Sequence, residues 1–326
     1  MKVFSTITVP SNIDLHKTFR QRASVVAKKF LPLKDRLMSK LDLMNLGELY
    51  RELRTARGLK MKDIAGKNIS QSQLSKFETG QTMLSADKLL IAISSIHMSF
   101  SEFEHAYNQY ENSPFFRHSK EISDLHSAKD IDGLNKLLKN YDKSSESYDI
   151  YNQLNRLVIK CAVYDLDSTN TICKEDIELL TKYLYSIENW TEYELYIFGN
   201  TLHILSESDL IFLGKAFIER ASLYLSIPNN KLHTQLVLLN IIITLLYKKQ
   251  GYYADYFMKH LDKILTYQDM FAKTILIFLQ KVLDYQEKRV TTTQTLEEYI
   301  ALIKATGHDE VAAFLQENLD AFISIS

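Results

Sequence analysis

The sequence predicts an all-α protein: a compact five-helix bundle near the N-terminus, then a long train of amphipathic helices. Three observations carry this. Glycine and proline number only 9 and 4 in 326 residues, and only Pro114 and Pro228 fall after residue 112, so helix breakers are rare. Apolar residues recur at helical spacing over most of the chain. Several Ser-led segments carry the signature of a helix start. Hydrophobic content of 46% and charged content of 24% are those of a globular protein.

The first 43 residues differ in character from the rest of the chain. They hold nine Lys/Arg against three Asp/Glu, with Pro10 and Pro32. Met44 then precedes NLGELYRELRTARG, a clean amphipathic helix. We read the leader as a gene-model extension before Met44; its charge also suits a basic arm that tracks DNA phosphates. Charge is uneven along the remainder. Residues 51–88 carry eight basic and four acidic side chains, whereas residues 112–326 carry 22 basic and 29 acidic. A polyanion partner is therefore expected for the N-terminal part only.

In that part, Leu46, Leu49, Tyr50 and Leu53 share a helix face with Arg51, Arg54 and Arg57 around them, and Gly58 stops the helix. Met61, Ile64 and Ala65 edge a short second helix, where the small Ala65 admits a close helix approach. Gly66, Lys67 and Asn68 form a tight connection, and Ile69 tucks it inward. Ser70 and Gln73 form a capping box for a third helix, which Gly80 ends. Leu74 and Phe77 face the second helix, leaving Gln71, Ser72, Ser75, Lys76 and Thr79 outward. Ser85 starts a fourth helix with Leu89, Leu90, Ile93 and Ile96 inward, and Ser99 with Glu102 starts a fifth running to about Tyr110. This spacing makes a helix-turn-helix domain over residues 44–111. Its third helix can enter a major groove. Gln71, Ser72 and Lys76 are the base readers, since Gln matches adenine N6/N7, Ser either base type, and Lys guanine or phosphate. Arg57, Lys60, Ser75 and Thr79 are placed to hold phosphates.

The stretches LGELYRELRTARGLKMKDIA and ISQSQLSKFETGQTMLSADKLLIAISSIHMSFSEFEHA resemble the DNA-binding domain of the Rgg/MutR family of Gram-positive regulators, within the wider Xre-type helix-turn-helix group. Starting at Met44 leaves 283 residues, similar in length to that family's proteins. Some relatives bridge a dimer through a cysteine in this domain; residues 44–111 contain none.

Residues 112–326 read as helices near 115–126, 128–141, 146–165, 174–187, 191–206, 208–226, 230–248, 252–267, 270–287, 294–306 and 309–322. Helix pairs recur at roughly 35–45 residues, the spacing of tetratricopeptide-like hairpins stacked into an α-solenoid. The strict tetratricopeptide consensus is not visible. A curved array suits an extended peptide. Asn200 and His203 lie about one turn apart beside Tyr196, and Asn240 interrupts the apolar run LVLLNIIITLL. An Asn amide both donates and accepts, so it can clamp a peptide backbone; a hydrogen bond between helices is the other reading of each Asn. His203 reads as core or solvated as readily as ligand-facing. Arg156 suits a peptide carboxylate or an internal ion pair. The family resemblance implies that this half binds a short imported signalling peptide and mediates homodimerisation.

No Gly-rich phosphate loop, His-Glu-x-x-His or Gly-x-Ser-x-Gly is present, so no enzyme, metal or other cofactor is expected. Two cysteines, Cys161 and Cys173, fit a reducing compartment. No apolar run spans a bilayer and no export signal is evident, so a cytoplasmic location with no membrane partner is expected. The sequence thus predicts a transcriptional regulator binding double-stranded operator DNA under peptide control of quorum-sensing type, with RNA polymerase as a further partner. Two alternatives stand beside it: a ligand-independent regulator whose repeat domain only dimerises, and a helical-repeat scaffold that binds protein.

Overall fold

Two capping boxes set the phase of the N-terminal helices. Ser70 Oγ accepts the Gln73 N–H at 3.1 Å, and Gln73 Oε1 accepts the Ser70 N–H at 3.2 Å. Ser99 Oγ accepts the Glu102 N–H at 3.2 Å, and the Glu102 carboxylate accepts the Ser99 N–H at 2.7 Å. The structure is a computed structural model that describes residues 45–108, 110, 114–142, 149–220 and 225–325. The leader, residues 1–43, and Met44 lie outside the described residues.

Every regular element among the described residues is a helix. These residues divide into two compact units, one ending at His118 and the other beginning at Ser119. The first unit holds α1 (Asn45–Ala56), α2 (Met61–Ile64), α3 (Gln71–Glu78), α4 (Ala86–Ser95) and α5 (Phe100–Tyr107). α1 packs on α3 and α5, α2 on α3, and α4 on α5. Tyr50, Ile69, Leu74, Phe77, Ile93 and Ile96 form the centre of the core, each at most 2% exposed. Ile69 lies inward because the Gly66 N–H closes the connection onto its carbonyl at 2.9 Å. Gly58 and Gly80 end α1 and α3 in the left-handed region, at φ 70° and 71°, where glycine carries no Cβ penalty.

A close helix approach that the sequence does not single out lies at Gly47. A Cβ on Gly47 would stand 1.9 Å from the Phe77 carbonyl oxygen, so only glycine lets α1 lie against the end of α3. Leu90 also departs from the expectation, being 52% exposed while Ala92 is buried. At 100° per residue, a stripe through Leu89, Ile93 and Ile96 turns Leu90 aside. α5 stops at Tyr107, and Tyr110 adopts φ 62°, which a continuing helix does not allow.

α6 (Pro114–Ser127) contains the division between the units. The second unit continues through α7 (Ile131–Asp142), α8 (Ile150–Leu166), α9 (Lys174–Ser186), α10 (Glu192–Thr201), a 3-10 turn (Leu202–Ile204), α11 (Glu207–Arg220), α12 (Pro228–Tyr247), α13 (Gly251–Ile264), α14 (Met270–Gln286), α15 (Gln294–Ala305) and α16 (Asp309–Ile325). Alternate helices stack: α8 on α10, α10 on α12, α12 on α14, α14 on α16. They begin at residues 150, 192, 228, 270 and 309, which is a period of roughly 40 residues and makes an α-solenoid of helical hairpins. The helix expected over 191–206 breaks after Thr201, because Leu205 turns extended and Ser206 Oγ caps α11 through the Asp209 N–H at 3.1 Å. The segments expected to extend helices over 146–148 and 221–224 lie outside the described residues.

α12 is buried almost all round from His233 to Tyr247. Its run LVLLNIIITLL has no polar face, and a helix apolar on every side must be wrapped by others. Among the described residues no helix is long and apolar enough to cross a membrane.

Candidate functional sites

α3 presents one outward face. Gln71, Ser72, Lys76 and Thr79 are exposed, with half-buried Ser75 between them, within an arc of about 140° at helical spacing. Leu74, Phe77 and Glu78 fill the opposite arc and are buried. Arg57 and Lys60, on the neighbouring end of α1 and the entry to α2, are exposed. Two of these side chains are partly engaged by their own helices. Thr79 Oγ1 donates to the Ser75 carbonyl at 2.8 Å, and Arg57 Nη1 to the Leu53 carbonyl at 3.0 Å. Gln73 is held by the capping box.

Arg54 departs from the expectation that groups it with Arg51 and Arg57 around the apolar face of α1. It is turned into the core, 5% exposed, beside Glu78 at 4%. Its Nε and Nη2 meet the two Glu78 carboxylate oxygens at 2.7 Å each, and Nη1 donates to the Leu59 carbonyl at 2.5 Å. This two-pronged pair ties α1, the loop after it and the last turn of α3 together. The sequence signal is Glu78, four residues after Leu74 on the inward stripe: a buried carboxylate needs a cation. The pair removes one charge of each sign, so the outward surface keeps its positive excess.

In the second unit, Tyr196 and Asn200 lie on α10, His203 on the 3-10 turn, Asn240 on α12 and Arg156 on α8, and α8 and α12 both pack on α10. Asn240 is fully buried, and its Nδ2 donates to the Gly199 carbonyl at 3.2 Å. Asn200 is half-buried and donates to the Tyr196 carbonyl one turn back at 2.8 Å. Tyr196 is 6% exposed, and Arg156 is half-buried. The His203 side chain is 7% exposed, 3.3 Å from the Asp165 carboxylate and stacked on Tyr164. Burial pushes its imidazole down to about 4. Replacing Asn240 by alanine is expected to cost about 1–3 kcal/mol, since it deletes a buried hydrogen bond in a site water does not reach. Denaturant unfolding followed by Trp190 fluorescence checks this.

The first two turns of α12 add polar groups that the sequence pattern alone does not single out. Asn230, His233, Thr234 and Gln235 are all buried there. His233 Nδ1 lies 3.3 Å from Glu192 at the start of α10. Lys231 pairs with Asp269 at 2.7 Å. Burial pulls the other way, but hydrogen bonds from Lys231, Gln235 and Thr266 hold the Asp269 carboxyl well below the usual carboxylate range. The stretch NNKLHTQL, polar at the head of an apolar helix, is the available signal.

Solved structures share this fold. A protein from Listeria monocytogenes EGD-e matches with a TM-score of 0.72 at 18% identity, over 86% of this chain and 97% of that one. The SHP pheromone receptor Rgg2 of Streptococcus dysgalactiae matches with a TM-score of 0.69 at 20% identity, over 85% of this chain and 99% of that one. The PrgX/cCF10 complex matches with a TM-score of 0.62 at 15% identity, over 86% and 93%. At these identities the likeness is one of fold. The family model described as the C-terminal domain of HTH-type transcriptional regulator Rgg matches residues 134–317. That match covers more than half of the 326 residues, and the chain belongs to the Rgg family of helix-turn-helix transcriptional regulators.

Proposed function

We propose that this regulator acts as a homodimer in the cytoplasm, binds operator DNA through α3, and is controlled by a short peptide. The DNA-binding segment is residues 44–111 and the sensing and dimerising segment is residues 112–326. The observation that carries the DNA reading is the α3 face itself: Gln71, Ser72 and Lys76 stand on the outer side of a helix whose other side is locked into the core by Leu74, Phe77 and the Arg54–Glu78 pair. These three side chains read base edges. Arg57, Lys60, Ser75 and Thr79 hold phosphates. Two copies of α3 related by a two-fold axis call for a pseudo-palindromic site.

The peptide reading rests on the helical stack and on the pheromone receptors of like fold. Arg156 and Asn200, both half-buried on stacked helices, are the direct contacts. Tyr196, His203 and Asn240 lie behind them and fix α10, with Asn240 bonded to the residue preceding Asn200. The peptide shifts the DNA-binding equilibrium, or contact with RNA polymerase, only through different affinities for two states.

The test is a binding titration of the full chain on DNA flanking its own gene, at two salt concentrations, with and without a peptide fraction of spent medium. A saturable, salt-sensitive complex that the peptide fraction alters is expected. Lys76→Ala is expected to lower affinity by about 1–3 kcal/mol; an undiminished affinity overturns its base-reading role. A complex indifferent to peptide, in wild type and Asn200→Ala alike, favours a regulator whose second unit only dimerises.

A further inference from the structure

Two imidazoles from separate elements reach one buried carboxylate in the second unit. His126, in the last turn of α6, places Nε2 3.9 Å from Asp165 Oδ2. His203, on the 3-10 turn after α10, places Nε2 3.3 Å from Asp165 Oδ1. The side chains of His126, His203 and Asp165 are 13%, 7% and 8% exposed. None of this serves DNA or peptide binding directly. We propose that His126, Asp165 and His203 form an acid-labile latch that pins the end of α6 and the 3-10 turn to the C-terminal end of α8.

The chemistry of the cluster supplies the switch. One carboxylate faces two imidazoles, so it can offset one added proton but not two. Among the described residues neither Nε2 has a hydrogen-bond partner, and the His203 ring is stacked parallel to Tyr164, with centroids 6.1 Å apart and planes at 8°. The latch is therefore built for neutral rings, held by packing. A second carboxylate, Asp176, acts on the same stretch of α8, but it is paired with Lys160. Lys129 and Lys248 oppose protonation of His126 and His203 respectively. Lys129 is itself paired with Glu317 at 3.3 Å. The Cys161 thiol, buried on α8, is pushed up by burial and by Asp165 and stays neutral. Burial lowers both imidazoles, His203 to about 4.

A histidine whose folded value lies below its unfolded one favours the folded state fully above the unfolded value. It loses that contribution as pH falls toward the folded value. For His203 the window runs from 6.5 down to about 4. An opening that releases the ring to water then grows about tenfold per pH unit across that window. The consequence falls on α6, the helix through which the chain passes from the first unit to the second. Acid would thus loosen the start of the second unit before its α12–α14 core.

Amide hydrogen exchange on the full chain, corrected for intrinsic rates, tests this at one value above the window and two within it, about pH 7.5, 6.0 and 5.0. Protection of the Leu202–Leu205 amides and of the last turn of α6 is expected to fall about tenfold per pH unit below the unfolded histidine value, while amides of α13 hold steady. In His126→Phe/His203→Phe that slope is expected to vanish. Equal protection at the highest and lowest pH, or an unchanged slope in the double variant, overturns the latch. Should the double variant fail to fold, the His203 ring is titrated in the wild type by nuclear magnetic resonance. A midpoint far below 6.5 that tracks the loss of protection supports the latch, and one at 6.5 or above overturns it.

Discussion

Arg54→Ala is expected to unfold the first unit while the second stays folded. Arg54 and Glu78 are both buried, and the substitution leaves the Glu78 carboxylate without its two-pronged partner. Breaking a buried pair from one side costs about 3–5 kcal/mol, because the remaining charge is uncompensated. A five-helix unit of about sixty residues has little more stability than that to lose. The chain's single tryptophan, Trp190, lies between α9 and α10 in the second unit. Tryptophan fluorescence should therefore keep its wild-type transition, while helical ellipticity falls and DNA binding is lost. Arg54→Met/Glu78→Leu is expected to recover much of the stability, since replacing both partners leaves no orphan charge. A wild-type melting profile for Arg54→Ala would show that the pair does not hold α3 in place.

Phe198→Ala is expected to produce the mirror result. Phe198 is fully buried on α10, 5.1 Å from the Trp190 ring and 6.0 Å from that of Phe217. These three rings fasten α10, α11 and the α9–α10 connection. Truncating a buried phenylalanine costs about 3–5 kcal/mol through lost transfer energy and the cavity left behind. The Trp190 transition should move to lower denaturant with its slope unchanged, whereas the α3 unit keeps its own transition. A Trp190 transition that does not move would contradict the packing of this cluster.

Local chemistry makes much of the molecule legible. Ser70 with Gln73 and Ser99 with Glu102 announce helix starts through residues three apart, and both boxes form. The stacking period is readable because each hairpin repeats its apolar pattern at a nearly constant length. The features that escape the sequence involve residues distant along the chain or faces finely divided. Arg54 meets Glu78 across 24 positions, so nothing adjacent to it marks it as buried. Leu90 reads as inward because it is apolar, but helix phase decides between neighbours, and Leu89 and Ile93 win. Gly47 lies inside an ordinary amphipathic pattern; only the approach of the Phe77 carbonyl explains it. Asn240 stands out as the polar residue in an apolar run, yet its partner is a backbone carbonyl on another helix, which carries no sequence mark. His126 and His203, distant in the chain, converge on Asp165 only once α6, α8 and α10 are assembled.

The central claim is that the outward face of α3 reads DNA sequence. Selection of bound duplexes from a random-sequence library by the full chain tests it most directly. The wild type is expected to enrich a two-fold related pseudo-palindrome. That enrichment is expected to be lost in Gln71→Ala/Lys76→Ala, two positions outside the buried core of the unit, whose replacement leaves that core untouched. The same sequence enriched by both proteins, or no sequence enriched over the starting library by either, would contradict it.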